Sequence, residues 1–586
     1  MSDTLDVLLI HLPFYIHKSY RFPHLGLLYV AASLRENGYK VGVLDYCDGD
    51  LSANSLIEHV IEKKPEILGF HVNTDSFHRV CRAIDLLQES IDNLPLIIFG
   101  GPHVTIEDRE ILENGYGDIV VRGEGEITTL EIARWKLKNE GSLNAILGIT
   151  YRSHEGDIIK NPGRDYQRNL DSLPEPCGDL LLIPPKRKTF HILTGRGCPY
   201  KCAFCAEGLS TIHYRFRSPD SVLDEIEHLI GERNRVYLGI LDDTFLVDRK
   251  RVEAIAKGIQ KRFGGKERLI WFCEGRVDFI TKNRELFPLL NDAGLVRIQL
   301  GIESGSQEIL DLYGKQIQLS EIEEAVCILR DADIPSIFGN FIIGGARASP
   351  ETVQSSIDLV EKLITLAPGR MEASASMLAF FPGTKVKSNP ELFGLEIIDP
   401  RMLRGISLQH PAAVTQKMGK NDILDAYSKF TTAVAKAYEK NLPQIPPSLI
   451  SRHIKFKKFG LSTNWSQIFS LYPTVAAYFE FLNKPGYFSM GSIQQEQLLD
   501  KVPHRTAPIL NVDNGNLSVN HPREVIFNDL GGQIYELCSG KLNNREIISE
   551  LRTKNHVLPP DPYFTDQVFE VMQALDDRFL LVFSDL

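Results

Sequence analysis

The sequence has 586 residues, of which 43% are hydrophobic and 24% charged, and carries a formal net charge of −11. That length calls for three or four domains with separate cores, and the acidic balance gives no electrostatic reason to bind nucleic acid non-specifically. No uninterrupted apolar stretch is long enough to span a bilayer. The opening run at residues 7–12 has no basic flank or small-residue cleavage site, so it reads as a first strand and a cytoplasmic protein is expected. Nine cysteines, three of them clustered, point to a reducing compartment and a metal site, not to a disulfide scaffold.

Residues 1–160 alternate short branched apolar runs (6–11, 40–45, 67–72, 96–100 and 119–123) with helical periodicities at 25–37 and 76–91. This is the pattern of an α/β domain with a doubly wound, Rossmann-like parallel sheet. Residues 161–188, with Pro162, Pro174, Pro176, Pro184 and Pro185, look like a linker. A second strand–helix series fills 189–400, with candidate strands at 189–194, 235–241, 269–272, 296–301, 336–343 and 371–379. Its helices include 218–230, capped by Ser218 with Pro219 in the first turn, and 282–292, closed by Gly294. Repeats of this spacing indicate a partial (β/α) barrel. Residues 401–504 read as a helical, aromatic-rich extension. Residues 505–586 form a compact tail, with short strands at 509–512, 517–519 and 525–527 before three amphipathic helices.

The strongest chemical signal is Gly195-Arg196-Gly197-Cys198-Pro199-Tyr200-Lys201-Cys202-Ala203-Phe204-Cys205. Spacings of four and three let one loop give a thiolate to each of three irons of a cubane cluster, leaving the fourth iron open for catalysis. Zinc would want a fourth ligand, and only Cys177 or His191 lies nearby in sequence. The motif, placed just after a barrel's first strand, resembles the radical S-adenosylmethionine (SAM) superfamily, with Phe204 at its aromatic position. The resemblance implies a [4Fe–4S] cluster on Cys198, Cys202 and Cys205. It also implies SAM chelating the open iron, a 5′-deoxyadenosyl radical, and an electron donor such as flavodoxin or ferredoxin.

Barrel chemistry sits at the carboxyl ends of strands. Asp242-Asp243-Thr244-Phe245, Glu274 and Arg276, Glu303-Ser304-Gly305-Ser306, Gly344-Gly345 and Phe381-Pro382-Gly383-Thr384 all fall there. The run resembles the branch of the superfamily that carries an N-terminal cobalamin-binding domain. It implies that Asp243 or Asp242 receives the SAM amino group, with Glu274, Arg276, Glu303 and Ser304 around the rest. Gly344-Gly345-Ala346-Arg347 departs from the usual Gly-x-Pro-Gly of that branch.

Three first-domain segments resemble its cobalamin motifs. They are Pro23-His24-Leu25-Gly26-Leu27, Gly100-Gly101-Pro102-His103-Val104-Thr105 and Arg122-Gly123-Glu124-Gly125-Glu126. The resemblance makes Gly100, Gly101, His103, Thr105, Gly123, Glu124, Gly125 and Glu126 candidate corrin residues. The Asp-x-His-x-x-Gly motif that places a histidine on cobalt is absent, which suggests no histidine ligand. With cobalamin bound, the chemistry implied is methylation of a carbon radical.

The tail resembles the winged-helix recognition element of enzymes that modify ribosomally made peptides, in which a precursor's leader adds as a strand to an exposed edge. From Arg505 to Leu586 it carries seven Lys/Arg against twelve Asp/Glu, a poor balance for holding phosphates. The expectation is therefore a cobalamin-dependent radical SAM C-methyltransferase acting on a precursor peptide. The alternative is an enzyme of the same kind acting on a lipid, tetrapyrrole or other small molecule. Residues 452–458, basic and followed by aromatics, fit either a membrane-surface contact or a solvated face over a core-packing one.

Overall fold

The computed structural model describes residues 4–12, 23–46, 53–176, 178–184, 190–207, 213–233, 235–398, 410–458, 460–471, 477–478, 481–482, 484–490, 495–513, 516–521, 523–527, 529–554, 561–576 and 580–585. Contacts divide the chain into two units, Met1–Leu366 with Ala373–Ala435, and Ala367–Glu372 with Lys436–Leu586.

In the first unit, successive strand residues point to opposite faces and both faces are apolar. Leu8 and Ile10 pack with Phe70, Val80 and Phe99, whereas Val7 and Leu9 pack with Leu27, Ala31 and Ile132. Such strands must lie between helical layers. Accordingly β1 (Val7–His11), β2 (Val41–Asp45), β3 (Ile67–His71), β4 (Leu96–Gly100) and β5 (Ile119–Val121) form a parallel sheet in the order 2-1-3-4-5. An antiparallel pair, β6 (Ile149–Arg152) and β7 (Ile158–Lys160), extends its edge; the sequence pattern did not suggest it. The order reverses between β1 and β3, and the crevice beyond that switch is where such sheets take ligands. The proline-rich segment is in part laid along the sheet, Leu182 N–H donating to Val43 O at 2.9 Å. Pro185 lies outside the described residues.

The second series begins with β8 (Phe190–Ile192) and a short hairpin of β9 (Gly195–Arg196) and β10 (Arg215–Phe216). There follow β11 (Val236–Ile240), β12 (Leu269–Gly275), β13 (Leu295–Glu303), β14 (Ser336–Ile343) and β15 (Met371–Met377). Sheet order 8-11-12-13-14-15 is consecutive, as in an incomplete (β/α) barrel. Helix Pro219–Ile230 starts where the Ser218 side chain accepts from Ser221 N–H, and it buries Val222, Leu223, Ile226 and Ile230. The single helix expected at 282–292 is instead two short helices, Val277–Lys282 and Phe287–Asp292, around a 3-10 turn. Asn283 leaves helical geometry, and Pro288 has no N–H to continue an earlier helix but suits the first turn of a new one.

In the second unit, helices Pro447–Lys458 and Asn464–Leu471 turn their aromatics inward. Phe456, Trp465, Phe469 and Tyr478 are buried while Lys455 and Lys457 are exposed. His453 bonds to Thr463 Oγ1 and Gly369 O, and Trp465 Nε1 donates to Met371 O. The basic aromatic stretch is thus a core-packing face with solvated lysines; Tyr472 and Phe479 lie outside the described residues. Strands Ile509–Asp513, Asn516–His521 and Arg523–Phe527 form an antiparallel sheet, followed by helices Asp529–Leu537, Asn544–Lys554 and Tyr563–Asp576. A second small sheet joins Leu581–Ser584 to Tyr487–Phe488 and Val502–Arg505. Among the described residues no helix is long and apolar enough to cross a membrane.

Gly294, between helix Phe287–Asp292 and β13, has φ +101°, and a Cβ there would stand 2.0 Å from Leu269 O. Backbone cannot yield as a side chain can. Gly294→Ala should cost at least about 2 kcal/mol in denaturant unfolding; an unchanged midpoint would contradict this packing.

Candidate active site

The three cysteines leave β9 on one loop. Gly197 takes φ +76°, turning the chain into it. Cys205 N–H donates to Cys202 O at 3.2 Å, and the loop is held from behind where Ala203 N–H donates to Tyr313 O and Val386 N–H to Ala203 O. Phe204 meets Tyr313 edge to face at 4.9 Å. The three half-buried cysteines form no disulfide, and burial pushes the Cys198 thiol up to about 11. Among the described residues no three His, Cys, Asp or Glu side chains converge on a single ion. A cubane asks for something else, one thiolate per iron, and the loop offers that.

Behind the loop lie carboxyls with too little positive charge. Burial, then Glu207 and Asp242, pushes Asp243 up to about 8. Burial also raises Glu207, which shares a hydrogen bond with Asp243. Glu274 rises to about 7 through burial, with Lys315 opposing and Glu303 and Asp242 assisting. Such crowding is relieved by a cationic group, which suits the ammonium of SAM. The two adjacent aspartates divide their work. Asp242 turns inward and accepts from the backbone N–H and hydroxyl of Thr194, whereas Asp243 lines the cavity.

Other expected residues are braced among themselves. Arg276 donates to Asp278 and to Lys315 O, and its guanidinium lies 3.7 Å from the Tyr200 ring centre. Glu303, at φ +66°, accepts from Lys315 Nζ at 2.7 Å. Glu274 accepts from Gln299 at 3.0 Å. Ser304 is buried and accepts from Ser306 N–H, shaping its own loop.

A cavity of about 560 Å³ joins this region to the first domain's crevice. Gly26, Gly69, Gly100, Gly101, Gly123 and Gly125 line one side, and Gly195, Arg196, Gly197, Glu207 and Asp243 the other. At Gly100 an added Cβ would meet nothing within 4 Å, so a side chain there would fill cavity space, whereas at Gly69 and Gly101 it would strike Leu9 and the Val72 backbone. Thr105 ties two of the loops, donating to Gly101 O and accepting from Gly123 N–H. Three corrin candidates are placed otherwise than expected. His103 is buried against Thr74 and Phe77 and does not line the cavity. Glu124 and Glu126 do line it, but their carboxylates are committed to Arg196, and Glu124 also to Arg215.

Known families bear on this geometry. The radical SAM superfamily model matches residues 192–360, and the B12-binding domain model matches residues 16–133. The chain is 30% identical over 347 residues to an uncharacterised methyltransferase of Pyrococcus horikoshii, covering 58% of this chain and 73% of the relative. The chain belongs to the B12-binding radical SAM enzymes. It is also 27% identical over 348 residues to the anaerobic magnesium-protoporphyrin IX monomethyl ester cyclase of Rubrivivax gelatinosus and 28% identical over 338 residues to the hopanoid C-3 methylase of Methylococcus capsulatus. It covers 61% and 60% of those two proteins, less than two thirds of either, and 57% and 54% of itself is matched. The structure of OxsB with aqua-cobalamin and S-adenosylmethionine bound matches 98% of this chain and 84% of that one, at 17% identity and a TM-score of 0.59. This radical SAM enzyme accordingly takes a [4Fe–4S] cluster and SAM, and its B12-binding domain takes cobalamin.

Sequence reasoning missed Glu207, Lys315, Arg215 and the ionic role of Arg196. Glu207 carried a usable signal, an acid two residues past the last cluster cysteine. The others became visible only when distant strand ends met.

A raised carboxyl pKa has a definite sign in stability. The folded state holds the Asp243 proton more tightly than the unfolded state, whose value is about 4. Its contribution is therefore full below about 4 and is lost as pH rises towards about 8. Cluster-free protein should lose melting temperature between these limits, and Asp243→Asn should lose less. Parallel wild-type and variant curves would refute this.

Proposed function

We propose that the enzyme transfers a methyl group from SAM, by way of cobalamin, to a carbon of a small organic substrate. The observation that carries this is the single cavity shared by the cluster loop and the glycine-lined crevice. When bound, the cluster with SAM supplies a hydrogen-abstracting radical, and cobalamin supplies a methyl carrier. The chain's own residues do the positioning. Cys198, Cys202 and Cys205 would hold the cluster. Asp243 and Glu207 would receive the ammonium of SAM, and Arg276 and Lys315 offer positive charge for its carboxylate. The glycines at 100, 101, 123 and 125 admit the corrin, and Phe381 and Pro382, also in the cavity wall, help to exclude water.

The relatives support a small substrate, one being a magnesium-protoporphyrin IX monomethyl ester cyclase and another a hopanoid C-3 methylase. They lend no support to the peptide expected from the tail. What favours a peptide as the second reading is the tail's order, three antiparallel strands and then three helices, which matches the arrangement expected of a leader-binding element.

The test supplies reconstituted full-length enzyme with methyl-labelled SAM, cobalamin and reductant. It is offered either a metabolite extract of the producing cell or a peptide encoded beside the gene. Label in an extracted small molecule is the expected result. Label in the peptide would install the second reading, and 5′-deoxyadenosine with no methylated product from either would sink the transferase claim.

A further inference from the structure

The carboxyl ends of β1, β2 and β3 bring His11, Asp45 and His71 together with His24, which opens the first helix (Leu25–Glu36). Asp45 pairs with His11 Nδ1 at 3.0 Å and accepts from His24 backbone N–H at 2.6 Å. Ring centres of His11 and His24 are 4.9 Å apart, and those of His24 and His71 3.8 Å. His24 and His71 line the cavity.

The ring nitrogens are not equivalent. His11 is committed to Asp45. His24 Nδ1 accepts the Leu27 N–H as a helix cap. With that nitrogen accepting, a neutral ring carries its proton on Nε2 and presents no free lone pair. His71 differs. It is only 7% exposed, its Nδ1 is buried without a partner, and no hydrogen bond among the described residues engages its ring. A neutral imidazole keeps one lone pair, and of the two ring nitrogens Nε2 is the one open to the cavity that His71 lines, so that lone pair is available to a ligand there.

We propose that His71 is the chain's axial nitrogen donor to the cobalt of cobalamin, its ring held by the adjoining His24 ring and by Asp45 through His24 and His11. This rests on the cavity taking cobalamin, and it replaces the expectation that no histidine meets cobalt. The missing Asp-x-His-x-x-Gly motif places its histidine in a loop; here the donor stands at the end of a central strand.

Full-length protein loaded with cobalamin and reduced to the cob(II) state should be read by electron paramagnetic resonance. Nitrogen ligation splits the high-field cobalt lines threefold. In protein grown on histidine labelled with heavy nitrogen (spin one-half) the splitting should become twofold, which separates a protein imidazole from the cofactor's own base. His71→Ala and His71→Gln should lose the splitting while retaining corrin absorption, and His24→Gln should keep it. A spectrum without nitrogen splitting, splitting unchanged by the label, or splitting that survives in both His71 variants would overturn the assignment. Absence of corrin absorption from loaded wild-type protein would overturn the cavity's cobalamin reading itself.

Discussion

Everything the cavity can do depends on one ionic joint. Arg196 reaches Glu124 at 3.1 Å and Glu126 at 2.7 Å, and Arg215 meets Glu124 at 2.9 Å. The arginines come from the two strands of the hairpin that brackets the cluster loop, the glutamates from the start of the helix after β5. Burial alone would raise the Glu124 carboxyl, but Arg215 and Arg196 hold it below its ordinary value. Removing one member of such a part-buried network leaves the remaining charge without its partner, which is destabilising. The hairpin and the crevice loop are therefore not free to part, and Cys198 stands two residues from the joint.

The two sides of the cavity are built for different ligands. Near the cluster, Glu207, Asp243 and Glu274 are crowded and burial raises all three carboxyls, an arrangement that a cation completes. Towards the first domain the wall is glycine, apolar side chain and imidazole, with Glu124 and Glu126 neutralised by their arginines, and it suits a broad ring. The joint keeps these unlike walls facing one another. A methyl carrier and a hydrogen abstractor can act on one substrate carbon only if they are held in that way.

Much of this was legible beforehand because it is local. The continuous apolar run in Val7–His11 and the capping of Pro219–Ile230 follow from neighbouring residues, and the cysteine spacing states the cluster chemistry by itself. What was not legible depends on residues far apart. Asp242 and Asp243 are adjacent in sequence yet part company because Thr194 takes one of them. His103 sits in a glycine-rich motif but faces Thr74. Glu124 and Glu126 look like ligand residues until Arg196 and Arg215 arrive from 70 to 91 positions away. His71 drew no notice because no motif surrounds it; its meaning comes from two other strand ends.

The central claim is that cluster and corrin face one cavity across a fixed distance. Full-length protein carrying both, reduced so that the cluster and cob(II)alamin are paramagnetic together, tests it by pulsed electron paramagnetic resonance. The account predicts that the cob(II) signal broadens and relaxes faster when the cluster is reduced than when it is oxidised. A cobalt signal indifferent to the cluster's oxidation state would contradict it.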